Sequence, residues 1–494
     1  MYKNHFSFKN FAYAAIACNS ALLPQFIQGK TIKNPAPELK KPNVVMIVVD
    51  DWGAQDLSFA GSKFYETPNI DNFARQSTSF RNAYNAYPRS VPSRFSLWTG
   101  MHCARPQEKK DNDGDNRKID KNTLCVAESF KTAGYNTFFV GKWHLSTDDC
   151  NPQDKGFEIN IGGGKCGAPS SHFAPFNKNW NPNDPNGGGD AIFGMDDAAQ
   201  GEYLTDYMTR KTVDYIKTKH AKPFFAAVSF YAVHTPLEAK KEMIAKYEQK
   251  KIAMGITSEN FILEEAGDRR AQQNNAVYAA MVESMDEGIG KIIIALKESK
   301  QYDNTIIVVV SDNGGLSNRG AGNKRPLATN NNPYKAGKGH LYEGGIKSPL
   351  LIHLPMQTKA ATSDVFTAGY DLFPTVAELC NVKVDKKLDG VSLAPALKGK
   401  TKKELTNRVL YWHKVLERPL QTGDYVSSAI RSGDYKLIDF YLQKRVELYN
   451  IKNDISETTN LIDKEPKVAA KLMSELNIWR KELDVNMMTI KLNK

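Results

Sequence analysis

Four unbroken apolar runs constrain what this chain can fold into: residues 43–49, 136–140, 224–230 and 305–310. A strand with one wet face alternates apolar and polar residues. A strand buried on both faces reads as a continuous run, as in a parallel sheet covered by helices. Helical patterns lie between the runs, at residues 123–133, 205–219 and 274–299. Strands alternating with helices predict an α/β fold with a large, mostly parallel sheet flanked by helices. After residue 400 the pattern changes. Short alternating stretches at 408–412, 427–431, 435–439 and 446–449 predict antiparallel strands, and 467–483 carries a helical stripe. The expected organisation is a domain over 43–400 and a small C-terminal α+β domain over 401–494. Residues 108–122 and 146–200 are polar and rich in Gly, Pro and Asn, and read as long surface loops.

Polar residues follow each run. Asp50 and Asp51 come directly after the first, and Asp312 and Asn313 follow the last. Lys142 and His144 follow the second, His234 follows the third, and Lys338 sits in the Gly-rich stretch 337–345. The C-terminal ends of parallel strands are where open α/β sheets bind ligands. Adjacent carboxylates are costly without a cation. Carboxylate and amide oxygens favour calcium or magnesium over zinc, and calcium is the ion expected.

The chain carries 66 Lys+Arg against 55 Asp+Glu, a net charge of +11, which favours anionic partners such as nucleic acid, membrane or acidic glycan. No dense basic run with interleaved aromatics is present, which argues against nucleic acid. Residues 1–29 have the shape of a secretory signal: Lys3 and Lys9 precede a short apolar core too short to span a bilayer. Residues 30–42 read as a Pro-rich linker, and no later segment is long and apolar enough to cross a membrane. A periplasmic or secreted location is expected, with lipidation of Cys18 and outer-membrane anchoring as a second route. Of the six cysteines, Cys150 and Cys166 are either a disulfide or two buried thiols.

The stretch Ser90-Val91-Pro92-Ser93-Arg94, followed by Leu97-Trp98-Thr99-Gly100, resembles the signature of formylglycine-dependent sulfatases, in their Ser-type bacterial form. The resemblance extends over roughly Lys41 to Leu461, in the family's order, within the alkaline-phosphatase-like superfold. It implies that Ser90 is oxidised to formylglycine by a Ser-type maturase, that Arg94 steadies it, and that Asp50, Asp51, Asp312, Asn313 and the group at Ser90 hold one calcium ion. It implies that Lys142, His144, His234 and Lys338 contact sulfate or move protons, with His234, favoured, or Lys338 as acid and His144 as base. Two positions depart from the pattern: Ser90 replaces the commoner Cys, and Lys347 stands where the family often has Arg. The implied activity is hydrolysis of sulfate esters on a sulfated oligo- or polysaccharide. A phosphodiesterase or phosphonate hydrolase of the same superfold, and an unmodified glycan-binding protein, are the alternatives. Trp180, Asn181, Trp412 and His413 are placed in loops or at strand ends, without an assigned role.

Overall fold

The strand Asn43–Val49 sits in the middle of an eight-stranded sheet and is buried along its whole length. Its side chains divide between two cores. Val44, Met46 and Val48 join Phe95, Trp98, Phe130 and Phe373 on one face, while Val45, Ile47 and Val49 join Ile70, Tyr207, Met208 and Ile292 on the other. Successive side chains of a strand point to opposite faces, so a strand between two apolar layers tolerates no polar position. This is why the run is unbroken. The computed structural model describes residues 41–106, 117–147, 150–181, 191–264, 267–400 and 402–485. The signal and lipidation expectations, and most of the linker, lie outside these residues. No helix among the described residues is long and apolar enough to cross a membrane.

Across the sheet the strands are Ala361–Ser363, Thr78–Phe80, Leu350–His353, Thr305–Ser311, Asn43–Val49, Phe224–Ser229, Asn136–Gly141 and Ile159–Ile161. The last five pair in parallel. Leu350–His353 runs against both its neighbours. The sheet is therefore mostly parallel, as the apolar runs require. Four of its strands were not visible as runs: Ile159–Ile161 lies in a stretch read as loop, and Thr78–Phe80, Leu350–His353 and Ala361–Ser363 are segments of three or four residues. The longest described helix, Ala276–Glu298, starts at Asn275, whose side chain accepts hydrogen bonds from the amides of Val277 and Tyr278, both at 3.1 Å.

The strands Val409–Lys414, Ser427–Ser432, Tyr435–Phe440 and Arg445–Asn450 form an antiparallel sheet. The helix Pro466–Glu482 covers it through Ala469, Leu472, Leu476 and Trp479, against Ile430, Leu437 and Leu448. Trp412 and His413 belong to this sheet's interior. Trp412 donates to the Asn85 carbonyl at 2.8 Å, and His413 Nδ1 lies 2.8 Å from Ser428 Oγ. Neither presents a face to solvent, whereas Trp180 is 39% exposed. Cys150 and Cys166 form no disulfide: both are buried thiols, and Cys166 Sγ donates to the Ala168 carbonyl at 3.1 Å.

A buried charge cluster fastens this sheet to the Gly-rich loop. Lys436 Nζ lies 2.9 Å from Glu343 and 2.6 Å from Glu457, and all three side chains are fully buried. The second carboxylate also accepts from the Glu343 amide at 2.7 Å. Lys347 lies farther off, 3.8 Å from Glu343, so removing the one cation in close contact with both carboxylates is expected to cost about 3–5 kcal/mol. Lys436→Met should therefore lower the urea midpoint at unchanged slope; a midpoint equal to the parent's would show that the cluster is not holding the sheet in place.

Candidate active site

Four neighbouring strands point their C-terminal ends at one edge of the sheet, because they are parallel and nearly level. Val49 pairs with Ser311, Val48 with Ser229, and Ser229 with Gly141. The residues just beyond these pairs must therefore meet. The Asp312 amide donates to the Val49 carbonyl at 3.1 Å, the Lys142 amide to the Ser229 carbonyl at 2.7 Å, and the Asp50 amide to the Ala232 carbonyl at 2.9 Å. Gly141 has φ +100°, and a side chain there would collide with the Ser229 carbonyl, so the turn carrying Lys142 needs glycine.

Ser90 arrives from a different direction, as the first residue of the buried helix Ser90–Thr99. Its hydroxyl lies 3.1 Å from Asp50 Oδ1 and 3.2 Å from Asn313 Oδ1, with Lys142 Nζ 3.4 Å away. A helix N-terminus offers partial positive charge and free amides, which favour an anion there. The helix is pinned by Arg94, one turn in. Arg94 Nε donates to Asp312 at 2.8 Å, and Nη1 donates to the Lys142 carbonyl at 2.8 Å and to Ser229 Oγ at 2.6 Å. Arg89, just before the helix, pairs with Asp424 at 2.5 Å and with Thr422 at 2.7 Å, tying it to the C-terminal region.

Lys142 Nζ pairs with Asp50 at 2.6 Å, and Lys338 Nζ reaches both oxygens of Asp51, at 2.7 and 2.8 Å. The loop bearing Lys338 packs directly on the loop bearing Asp312. Gly314 lies so close to the Gly344 carbonyl that a Cβ would sit 1.9 Å from it. His234 Nε2 is 3.6 Å from Asp51, while its Nδ1 is 2.6 Å from the Thr235 carbonyl, which places the proton on Nδ1. His144 is half-buried. Its amide donates to the Gly164 carbonyl at 2.9 Å, and Lys118 donates to its own carbonyl at 2.9 Å. Asp51 and His144 both hold left-handed backbone, φ 58° and 61°, a strained state for such residues that folds retain where a site over-determines it. Of the residues singled out from sequence, His144 is linked to the cluster only through the charges of Lys142 and Arg94 acting on its ring; the others meet by direct contact. Ser229 escaped notice. Its signal is a hydroxyl ending an otherwise apolar strand.

The electrostatics of the cluster are unbalanced. Burial, and then the charge of Asp312, push the Asp50 carboxyl up to about 7. Asp51 is held below the usual carboxylate range, burial notwithstanding, by Lys338, His234 and Lys142. Burial and the charges of Lys142 and Lys118 drive His144 well below its ordinary value, and burial and Lys338 do the same to His234. Both rings are therefore neutral. Asp50, Asp51 and Asp312 offer oxygens all within 4.8 Å of one another, and all three residues are buried. Three hard carboxylates, one of them pushed toward protonation by burial and by the charge of Asp312, fit a divalent cation.

The family model described as Sulfatase matches residues 42–382, and a second, described as N-sulphoglucosamine sulphohydrolase, C-terminal, matches residues 336–482. A protein named Sulfatase from Formosa agariphila is 30% identical over 89% of this chain and 89% of its own. An arylsulfatase of Clostridium perfringens is 25% identical over 86% of this chain and 91% of its own. Among solved structures, one titled Ps i-CgsB in complex with k-i-k-neocarrahexaose aligns with a TM-score of 0.70 and 30% identity, covering 89% of this chain and 93% of that one.

Protein stripped by a chelator and then titrated with a divalent cation is expected to gain thermal stability, by about 2.7 kcal/mol at a free ion concentration near 100 Kd. Asp312→Asn should lose most of that gain in the same melting assay. An equal gain in the variant would place the ion elsewhere.

Proposed function

We propose, from the premise that this chain belongs to the sulfatase family and is a sulfuric ester hydrolase, that it removes sulfate from sulfated carbohydrate. The nucleophile is formylglycine made from Ser90, and one calcium ion is held by Asp50, Asp51, Asp312, Asn313 and the group at position 90. The observation that carries this is the position of the Ser90 hydroxyl. It lies at a buried helix N-terminus, 3.1 Å from Asp50 and 3.2 Å from Asn313, among the carboxylates suited to hold the ion. The neocarrahexaose-bound relative and the net charge of +11 support a sulfated saccharide as substrate.

When present, the hydrated aldehyde supplies a stronger nucleophile than a hydroxyl and a route for releasing sulfate, and calcium supplies charge that lowers a bound oxygen's pKa and screens the sulfate. The chain's own residues do the rest. Lys142 and Lys338 are aimed into the cluster and share the sulfate oxygens, opposing charge in a buried site. Arg94 fixes Asp312 and the helix of Ser90, which sets the direction of attack. His234, with Nδ1 fixed by the Thr235 carbonyl, presents Nε2 to the leaving sugar oxygen. Burial and then the Lys338 charge hold its proton off; the anionic substrate offsets that charge, so His234 takes the role of acid. His144, neutral, takes the proton from position 90 when sulfate leaves. A Ser-type maturase and a periplasmic or secreted location belong to the same reading.

The test is Ser90→Ala. Turnover of sulfated saccharides should fall by a factor on the order of 10³ or more with the melting curve unchanged. Mass spectrometry of the peptide around Ser90 from a host with the maturase should show the aldehyde or its hydrate. Full activity in the variant, or preference for phosphate over sulfate esters in parallel assays, would reject the assignment.

A further inference from the structure

Every cation that touches the carboxylate cluster has an acid of its own. Lys142 has Asp50, Lys338 has Asp51 and Arg94 has Asp312, while Arg89 is held by Asp424. Arg325 has none among the described residues. It is half-buried, and the one side-chain hydrogen bond it makes among them runs from Nη2 to Thr235 Oγ1 at 3.4 Å. That hydroxyl is itself 3.4 Å from His234 Nδ1, so the guanidinium stands two contacts from the imidazole that faces Asp51. Asp51 attracts it from a distance, while burial and the charges of Arg89 and Arg418 work against its proton. A guanidinium stays charged at any ordinary pH, so half-burying one without a counter-ion is unfavourable until an anion arrives.

The position is built, not accidental. The Arg325 amide donates to Asn323 Oδ1 at 2.7 Å, and its carbonyl accepts from Arg319 Nη1 at 3.1 Å. Arg319 is fixed in turn by Asp268 at 3.0 Å. The same ribbon is tied to the turn that carries Arg418: the Gly320 amide donates to the Gln421 carbonyl at 3.3 Å, and the Asn318 side chain donates to the Thr422 carbonyl. Two guanidinium groups thus sit on linked segments, and Arg325 reaches the residue that follows His234.

We propose that Arg325, with Arg418 near it, is a specificity-determining residue that binds a second anionic group, a sulfate or a carboxylate, on the saccharide whose sulfate ester is cleaved. The forked guanidinium matches both anions through paired hydrogen bonds. This rests on the sulfatase reading above and narrows its substrate to saccharides with two anions close together.

The experiment measures binding and turnover separately. In the Ser90→Ala protein, calorimetry compares neocarrabiose carrying one sulfate, the same disaccharide carrying two, and a sulfated galactosamine joined to a uronic acid. The dianionic ligands are expected to bind about tenfold more tightly than the monosulfated one, the third arm telling carboxylate from sulfate. Arg325→Gln should bring that ratio close to one, and Arg325→Lys, which keeps charge without the fork, should retain part of it. Equal affinity for all three ligands, or a preference that survives Arg325→Gln, overturns the proposal. Turnover by the matured protein is followed in parallel. An Arg325-dependent preference without turnover leaves this subsite standing and rejects the sulfatase reading; turnover without such a preference does the reverse.

Discussion

The parallel pairing of four central strands is the constraint on which the rest depends. Thr305–Ser311, Asn43–Val49, Phe224–Ser229 and Asn136–Gly141 are level within about one residue, so the residues that follow them arrive at one edge. No long-range search is needed to assemble Asp50, Asp312, Lys142 and His234. The backbone ladder delivers them, and the two apolar layers on either face hold the ladder in register.

Delivery creates a charge problem, which the fold meets with cations. Arg94, Lys142 and Lys338 each neutralise one carboxylate, and each also performs a mechanical task. Arg94 ties the helix of Ser90 to two strand ends, while Lys338 ties the Gly-rich loop to Asp51. Burial and the neighbouring Asp312 outweigh that compensation at Asp50, which stays raised and leaves the site receptive to a further positive charge. The C-terminal sheet contributes at a distance. Asp424 holds Arg89 just ahead of Ser90, and Lys436 holds Glu343 at the end of the Lys338 loop. Its conformation is thus coupled to the cluster without supplying a residue to it.

Much of this was legible in the chain because the central strands are buried on both faces and announce themselves as apolar runs with polar residues at their ends. The antiparallel C-terminal strands were legible by their alternation. What escaped has a physical reason in each case. Ile159–Ile161 and Leu350–His353 are too short for periodicity to show, and their place is set by pairing with neighbours rather than by their own sequence. The hairpin Phe261–Glu264 with Gly267–Arg270 is half polar, and gave no signal. Trp412 and His413 stand at the end of an alternating stretch, but the side of a strand that faces inward is decided by the covering layer, here the main domain around Asn85. Arg325 lies in an irregular segment between glycines and prolines, where no pattern distinguishes a binding arginine from a solvated one.

The central claim is that one divalent ion sits among Asp50, Asp51, Asp312 and Asn313 with position 90 beside it. Anomalous diffraction from crystals grown in calcium tests it most directly. One peak is predicted, with oxygens of those four side chains at about 2.3–2.6 Å. A peak bonded to other residues, or none at saturating calcium, would contradict the account.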